Sequence, residues 1–332
     1  MEYTDYESKG RLTEFDRFNR YAETTDTVRS HSRTDFFPNA QIAFAPRDLT
    51  RLRMAYSKTI ERTAFEVLAP FEFVNRRDTL LFRGNPELDP VISNNLDLYL
   101  DHRLMDLGLF SVGVFYKDLS NFQIFEERRI EVLKGDYTGI DPLFENQDFT
   151  VLPVRERTFR NSDKSATLFG VELSWHQHYA FLPGFLGNFG TWINYTWSES
   201  IRETDREYDV ALLYQSPHVV NGALDYTQGR FFTQVAYHWT AEMLSGLQQM
   251  PTLAPSIDST EGVFMDQYQD GWSDLSVTFR FRISDNFRFW ADVSRLLGNE
   301  RVAQYLYSRD LYPVMIDYTA GLRLEMGLRF DL

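Results

Sequence analysis

The sequence contains no cysteine, and none of its apolar runs approaches the roughly 18 residues that a membrane-spanning helix needs. Without cysteine, the protein has no disulfide framework and no thiolate metal site. Its mean hydropathy of −0.38 is typical of a water-soluble chain. Hydropathy does not exclude a membrane protein that crosses the bilayer in strands, because half of each such strand is polar.

Positive charge is also scarce. The 34 Lys and Arg residues against 48 Asp and Glu give a net charge of −14, which argues against a nucleic-acid partner. The first residues, MEYTDY, are acidic where a secretory signal is basic and then apolar, so no export signal is visible. No glycine-rich phosphate loop, no His-Glu-x-x-His motif and no nucleophile elbow occurs. We therefore expect no enzymatic activity, no catalytic residue and no cofactor.

What the sequence has in quantity is apolar and polar residues that alternate at period two. In one segment Leu275, Val277, Phe279, Phe281 and Ile283 point one way, and the residues between them are mostly polar. The C-terminus, 322–332, repeats the pattern. A soluble β-sandwich also alternates, because its inner face is dry and its outer face is wet. Alternation alone therefore leaves a sandwich and a membrane barrel open.

The length of the alternating runs favours the barrel. Most can be extended to roughly 10 residues, the length that a tilted strand needs to cross the hydrocarbon layer. Strands of a sandwich are typically about half as long. The runs besides the two named above lie at 40–45, 52–57, 96–101, 110–118, 169–176, 189–198, 219–226, 231–240 and 287–294.

The links between these runs alternate between short and long. Short links rich in turn-forming residues lie at 45–48, 105–108, 227–229 and 284–286, and a somewhat longer one lies around 182–184. The remaining links are uncommonly long for a soluble domain, and a rim of short turns opposite a rim of long loops is typical of an outer-membrane barrel. The long polar segments lie near 59–90, 123–165, 199–216, 241–271 and 297–316.

Several motifs resemble one family. The run GNPELDP at 84–90, followed by SNNLDL at 93–98 and FYKD at 115–118, resembles the mid-barrel signature of TonB-dependent outer-membrane receptors. The last residue, Leu332, departs from the terminal Phe that is more usual in the family, and SRLLGN at 294–299 departs from its penultimate strand. The other matching pieces, in family order, are LRMAYS at 52–57, RTAF at 62–65, Asn161, Ala166, GVE at 170–172, NYT at 194–196, QSPHVVN at 215–221, Tyr318, Gly321 and GLRFDL at 327–332.

The resemblance implies an all-β fold, an antiparallel transmembrane β-barrel in the outer membrane of a Gram-negative bacterium. Family members carry an N-terminal plug domain and close with about 22 strands. This chain begins inside the barrel, so we expect residues 1–332 to form about 12 C-terminal strands, with the plug absent, no second domain and the long segments as extracellular loops. Because open sheet edges would expose unpaired backbone groups to lipid, we expect a fragment of a larger barrel.

The function that the resemblance implies is active uptake of a scarce substrate, such as a ferric siderophore, a cobalamin or an oligosaccharide. The implied partners are outer-membrane lipid, the TonB complex acting through a plug domain, and the barrel assembly machinery acting on the C-terminal strand. From the residues alone, a stand-alone 12-stranded channel or adhesin, an outer-membrane lipase and a soluble glycan-binding β-sandwich stay open as alternatives.

Two groups of residues are candidates for the inside of such a receptor. Aromatic rings in the long segments could stack on a substrate or pack loop against loop, and the candidates are Phe71, Phe73, Tyr137, Tyr268 and Trp272. His176 and His178 lie two apart on one strand face, but no third ligand accompanies them, so we predict no metal site. The expected charged inner wall comprises Asp97, Asp101, Lys117, Glu172, Asn194, Arg280, Arg323 and Arg329.

Overall fold

The computed structural model describes residues 2–15, 21–69, 72–75, 80–104, 107–133, 151–204, 208–247, 249–250, 263–264, 266–297, 301–306, 314–319 and 321–330. Nearly all of their regular structure is β-strand, apart from helix α1 at Phe65–Leu68 and a 3-10 helix at Gly184–Asn188. No helix in these ranges is long and apolar enough to cross a membrane. The strands are β1 Glu2–Phe15, β2 Tyr21–Asp35, β3 Asn39–Arg47, β4 Thr50–Glu61, β5 Glu72–Asn75, β6 Leu80–Arg83, β7 Val91–Arg103, β8 Gly108–Ser120, β9 Gln123–Leu133, β10 Val151–Asn161, β11 Ala166–His178, β12 Phe189–Arg202, β13 His218–Gln228, β14 Phe231–Thr240, β15 Met243–Gly246, β16 Gln249–Met250, β17 Val263–Phe264, β18 Gln267–Gln269, β19 Trp272–Arg282, β20 Phe287–Ser294, β21 Arg301–Leu306, β22 Val314–Thr319 and β23 Arg323–Phe330.

The largest sheet has eleven strands in the order β23-β20-β19-β14-β13-β12-β11-β8-β7-β4-β3. Each of the eleven alternating runs predicted from the sequence is one of these strands, so the predicted strand positions are confirmed. The pairing is antiparallel, as between β11 and β12, which stay in register from Ala166 opposite Arg202 to His178 opposite Gly190. Every hydrogen-bonded neighbour in the sheet is also the next of the eleven along the chain.

The short links are confirmed, with some differences in position. β13 and β14 are joined at Gly229, whose φ of +57° is a conformation that glycine adopts without steric cost. The reversal between β3 and β4 lies at residues 48–49 rather than 45–48, because β3 stays extended through Arg47. The link around 182–184 contains the 3-10 helix. In the link at 105–108, residues 105 and 106 lie outside the described residues.

The two faces of the main sheet have the reverse of the exposure seen in a soluble protein. On β7, Leu96, Leu98 and Leu100 are 44%, 41% and 44% exposed, whereas the alternate residues Asp97, Tyr99 and Asp101 are partly buried. The same apolar face continues across other strands with exposed Leu, Phe, Met and Val side chains. Contiguous exposed apolar surface of this kind marks contact with lipid or with another protein. The alternation expected of a membrane strand is therefore present in three dimensions.

A row of aromatic rings crosses this apolar face at the end of the sheet that carries the short links. Neighbouring ring centroids lie 4.9 Å apart for Phe189 and Tyr226, 6.1 Å for Tyr226 and Phe231, and 5.1 Å for Phe231 and Phe279. Phe289 extends the row 6.0 Å beyond Phe279. Edge-to-face contacts at these distances stabilise aromatic pairs. Aromatic girdles at such a height are typical of outer-membrane barrels.

The long segments predicted from the sequence contain strands of their own. Segment 59–90 includes β5 and β6, and segment 123–165 includes β9 and β10, which pair along their whole length. Segment 241–271 includes the short strands β15 to β18, and segment 297–316 includes β21 and the start of β22. These strands form small sheets in the orders β5-β6-β10-β9, β15-β18-β21-β22 and β16-β17. Part of each of these four links is therefore paired strand.

The compact unit that contains Met1–Asn39, Tyr56–Asn95 and Asp118–Ser165 holds the signature run at 84–90 in place. The Asn161 side chain accepts a hydrogen bond from the Asp89 backbone N–H at 2.8 Å and donates one to the Asp89 carbonyl at 2.8 Å. The Asn85 side chain donates to the Phe159 carbonyl at 2.9 Å. Leu88, only 2% exposed, anchors the run in the core. In the same unit, β1 pairs with β2 from Glu2 opposite Asp35 to Phe15 opposite Tyr21.

Candidate functional site

The polar face of the main sheet carries a bonded network centred on Asp101. The Arg53 guanidinium of β4 donates from Nε to Oδ2 of Asp101 at 2.8 Å and from Nη2 to Oδ1 at 3.2 Å. The Ser111 hydroxyl of β8 donates to Oδ1 at 2.8 Å. Bidentate contacts between an arginine and a carboxylate are geometrically specific as well as strong. Three neighbouring strands are therefore cross-linked by side chains on this face.

Tyr99 extends the network toward β11. Its hydroxyl donates to Oε2 of Glu172 at 2.8 Å, and the Arg53 guanidinium lies 5.1 Å from the centre of its ring. The ring covers Gly113, because a Cβ at that position would stand 2.3 Å from Tyr99 Cε1. Glycine is required on β8 here so that the tyrosine can lie flat across the sheet.

The positions predicted for the charged inner wall fall on the polar face wherever the structure defines them. Asp101 and Glu172 belong to the network above, and Asn194 lies directly opposite Asn221 on β13. Arg280 and Arg329 lie near the short links and Arg323 at the start of β23, with Arg323 paired to Glu325. The Lys117 ammonium lies 5.9 Å from the centre of the Phe115 ring. Asp101, Glu172 and Arg323 are thus bonded to other side chains of the polar face.

His176 and His178 face the same side of β11, opposite Trp192 and Gly190 respectively. No group of three or more His, Cys, Asp or Glu side chains among the described residues could hold a metal ion. His238 is instead bonded within the wall, since its Nδ1 lies 2.6 Å from Oδ1 of Asn221 and its ring lies 4.6 Å from that of Trp272. His238 is therefore a polar wall residue with partners on both neighbouring strands.

A cavity of about 500 Å³ lies at the opposite end of the sheet from the short links. Its rings are Trp197, Tyr208 and the predicted candidate Tyr268. Its carboxylates are supplied by separate segments of the chain, and only one of them, on Asp266, is buried. The carboxylate residues that line it are Glu199, Asp209, Glu242 and Asp266. Rings and carboxylates in one cavity can stack on a flat ligand and accept hydrogen bonds from its hydroxyl or ammonium groups.

The cavity is held open by bonds between β12 and the link that follows it. The Gln215 side chain donates to Ser198 Oγ at 2.8 Å and accepts from Ser200 Oγ at 2.7 Å. The Leu212 backbone N–H also donates to Ser200 Oγ, at 2.9 Å. Farther along the link, Tyr214 has a left-handed φ of +58°, and its N–H donates to the Leu244 carbonyl at 2.7 Å. The segment predicted at 199–216 is thus folded back onto the sheet at defined contacts.

The five predicted aromatic candidates do not lie together in the structure. Tyr268 lines the cavity, whereas Trp272 begins β19 and packs on His238. Phe71 and Tyr137 lie outside the described residues. Phe73 lies in β5, but its side chain is not described. The structure therefore brings only Tyr268 of this set to a described cavity. Sequence reasoning missed Trp197 and Tyr208, since nothing in the alternation separates a cavity ring from an interfacial one.

The comparisons with known proteins agree with this fold. The family model described as TonB dependent receptor-like, beta-barrel, matches residues 9–299. A search of curated protein sequences gave no match. Among solved structures, the siderophore receptor PirA from Acinetobacter baumannii is similar with a TM-score of 0.59 and 14% identity, over 92% of this chain and 42% of that one.

Two further structures have comparable similarity. A mutant of the ferric enterobactin receptor PfeA from Pseudomonas aeruginosa, in complex with enterobactin, has a TM-score of 0.58 and 13% identity, over 92% of this chain and 42% of that one. The ferric-catecholate import receptor Fiu from E. coli K12 has a TM-score of 0.57 and 12% identity, over 99% of this chain and 41% of that one. This chain therefore spans less than half the length of these structures, and at such identity the likeness shows the fold. With an all-β antiparallel fold and a family match over most of its residues, the chain belongs to the TonB-dependent receptor-like β-barrel family.

Proposed function

We propose that the chain forms part of the barrel wall of an outer-membrane receptor that takes up a scarce substrate with energy supplied through TonB. The observation that carries the proposal is the reversed exposure of the main sheet, which suits lipid on one side and a polar passage on the other. Membership in the receptor family supplies the link to TonB. As in the predicted organisation, residues 1–332 would form one partial barrel domain without a second domain.

The apolar and polar faces of the main sheet suggest what would surround the barrel wall on each side. The apolar face with its aromatic row would contact outer-membrane lipid. The long segments near 59–90, 123–165, 199–216, 241–271 and 297–316 would lie outside the cell, and the short links would face the periplasm. The TonB complex would act through a plug domain, and the barrel assembly machinery would bind the strand β23 at the C-terminal end.

The substrate would first meet the cavity at the long-link end of the sheet. A ferric siderophore is the first class to test, since the three similar structures are a siderophore receptor, a ferric enterobactin receptor and a ferric-catecholate import receptor. A cobalamin and an oligosaccharide are the other two classes. Tyr268 offers a stacking surface, and the carboxylates offer hydrogen-bond acceptors. Rigid strands carrying binding links are a common arrangement for recognition.

The test is substrate uptake by a strain that lacks the gene and is complemented with it. Accumulation of radiolabelled ferric siderophores, cobalamin and oligosaccharides would be measured in strains with and without TonB. We expect saturable, TonB-dependent accumulation of one class. The variant Tyr268→Ala should raise the half-saturating concentration about tenfold, since a stacked ring contributes on the order of 1.4 kcal/mol.

The matched control is Phe181→Ala, which removes an exposed ring from a short link at the other rim. It should leave the half-saturating concentration unchanged. Accumulation that persists without TonB would contradict the proposal and favour a passive channel. Equal effects of the two variants would show that the cavity does not contact the substrate.

A further inference from the structure

One short link differs in composition from the others on its rim. Residues 179–188 join β11 to β12 and read YAFLPGFLGN, without a charged side chain. We call this segment the apolar link. Between the strands that they join, the other four short links each contain a charged residue, namely Asp48, Asp106, Arg230 and Asp285.

The large side chains of the apolar link are exposed. Phe181 and Phe185 are 61% and 64% exposed, and Leu182 and Leu186 are 36% and 41% exposed. All four lie within residues 181–186, so they are close together on the chain. Clustered apolar side chains of this size on a protein surface mark a contact with a partner or with lipid.

The rings of the apolar link continue the aromatic row of the main sheet. The centroid of the Phe185 ring lies 6.5 Å from that of Phe189, which is the first ring of the row. At the other end of the link, the Phe181 ring lies 5.9 Å from the Tyr179 ring. The Tyr179 hydroxyl lies 3.0 Å from Oγ1 of Thr191, which is on the same face of β12 as Phe189. Both ends of the link are therefore attached to the apolar face.

The backbone of the apolar link is bonded to itself, as a segment in contact with lipid requires. The Leu182 N–H donates to the Tyr179 carbonyl at 2.8 Å, and the Tyr179 N–H donates to the Phe189 carbonyl at 3.0 Å. The Phe189 N–H donates to the Leu186 carbonyl, which closes the 3-10 helix. Pro183 has no N–H to satisfy. These backbone groups therefore need no water.

We propose that the apolar link inserts into the periplasmic leaflet of the outer membrane. The acyl chains of phospholipids would cover its four exposed apolar side chains. Continuity with the aromatic row favours lipid over a protein partner, because such rings lie at the boundary between headgroups and acyl chains. A protein interface also has a polar rim, whereas the apolar link has no charged group. Apolar segments at this boundary anchor proteins to membranes.

The inference rests on the lipid contact of the apolar face in the proposed function, and it does not depend on the substrate or on TonB. It goes beyond that contact because it assigns to the membrane a link that lies outside the strands. An anchor on this link would fix the height of β11 and β12 relative to the bilayer.

The test is photocrosslinking in cells that express the protein as its gene encodes it. The photoreactive residue p-benzoylphenylalanine replaces Phe185 in one strain and Phe181 in a second, and ultraviolet light joins it to a neighbouring C–H bond. We expect mass spectrometry to find the protein with the added mass of a phospholipid. The matched control replaces Asp285, which is exposed in the β19–β20 link at the same rim. The lipid adduct should form at least about fivefold less often there.

A further strain carries the photoreactive residue in place of Leu224, which is 46% exposed on the apolar face of β13. Lipid adducts at Leu224 but at neither Phe185 nor Phe181 would overturn this inference and leave the lipid contact of the sheet standing. The absence of adducts at all three positions would contradict the lipid contact of the proposed function as well. Adducts of Phe185 with a protein in place of lipid, or equal lipid yields at Phe185 and Asp285, would also overturn the inference.

Discussion

Removal of the Asp101 carboxylate should destabilise the sheet measurably, because three donors on two other strands converge on it. Asp101→Ala would leave the Arg53 guanidinium and the Ser111 hydroxyl without their acceptor. Hydrogen bonds to charged groups contribute about 1.5–3 kcal/mol each when well shielded. The side chains of Arg53 and Asp101 are 34% and 17% exposed, so water would replace part of the loss. We expect the free energy of unfolding to fall by about 2 kcal/mol.

The assay is equilibrium unfolding in urea from lipid vesicles, followed by tryptophan fluorescence. Asp101→Asn keeps the acceptor for Ser111 and one contact with Arg53, so it should lose about half as much. In a double-mutant cycle with Arg53→Leu, the two losses should be less than additive by at least about 1 kcal/mol. The control is Glu7→Ala, which breaks the exposed Lys9–Glu7 pair and should have no measurable effect. If Asp101→Ala unfolds like Glu7→Ala, the network does not contribute to stability.

Three further predictions concern the faces and the signature run. Leu173→Lys places a charge on the apolar face of β11 and should lower the free energy of unfolding in urea by about 2–4 kcal/mol. The adjacent Ser174→Lys lies on the polar face and should lower it by less than about 1 kcal/mol. Equal losses would contradict the assignment of the faces. Gly113→Val should displace the Tyr99 ring and cost about 1–3 kcal/mol, and the additional change Tyr99→Ala should recover part of that loss if the clash is the cause. Asn161→Ala removes the bonds to both backbone groups of Asp89 and one to the Asn121 carbonyl, so limited proteolysis should cut within 84–90 sooner than in the parent; an unchanged cleavage pattern would show that other contacts hold the run.

The main sheet could be predicted strand by strand because each of its strands separates apolar from polar residues by face. The alternating runs do not include the pair β1–β2. β2, YAETTDTVRSHSRTD, has almost no apolar residue on either face, so its sequence contains no alternation to detect. β9 and β10 do contain apolar residues, but their charged residues occupy both odd and even positions, so they lack the alternation as well; β10 pairs with β9 and with β6. Strands that are stabilised by pairing within a ribbon do not need one apolar face, so their sequences show no alternation of apolar and polar residues.

The candidate site was less accessible to sequence reasoning than the fold. The carboxylates of the cavity are far apart in the chain, at Glu199, Asp209, Glu242 and Asp266. They meet only because the link after β12 contacts the link after β14, as in the hydrogen bond from the Tyr214 N–H to the Leu244 carbonyl. Two arginines at the short-link end of the polar face, Arg280 and Arg329, were expected on the inner wall. That Arg282, Arg288 and Arg329 stand side by side depends on the register of three strands, which alternation does not determine.

Each long link leaves and re-enters the main sheet on two strands that are hydrogen-bonded to each other. Insertions or deletions in a link therefore change the length of a ribbon without shifting the pairing of the wall below it. Loop-closure entropy rises by only about 0.6 kcal/mol for each doubling of length. Divergent members of such a family can exchange whole links, and with them their specificity, while the same strands continue to assemble. Independence of the links from the pairing of the wall strands is consistent with a shared fold at 12–14% sequence identity.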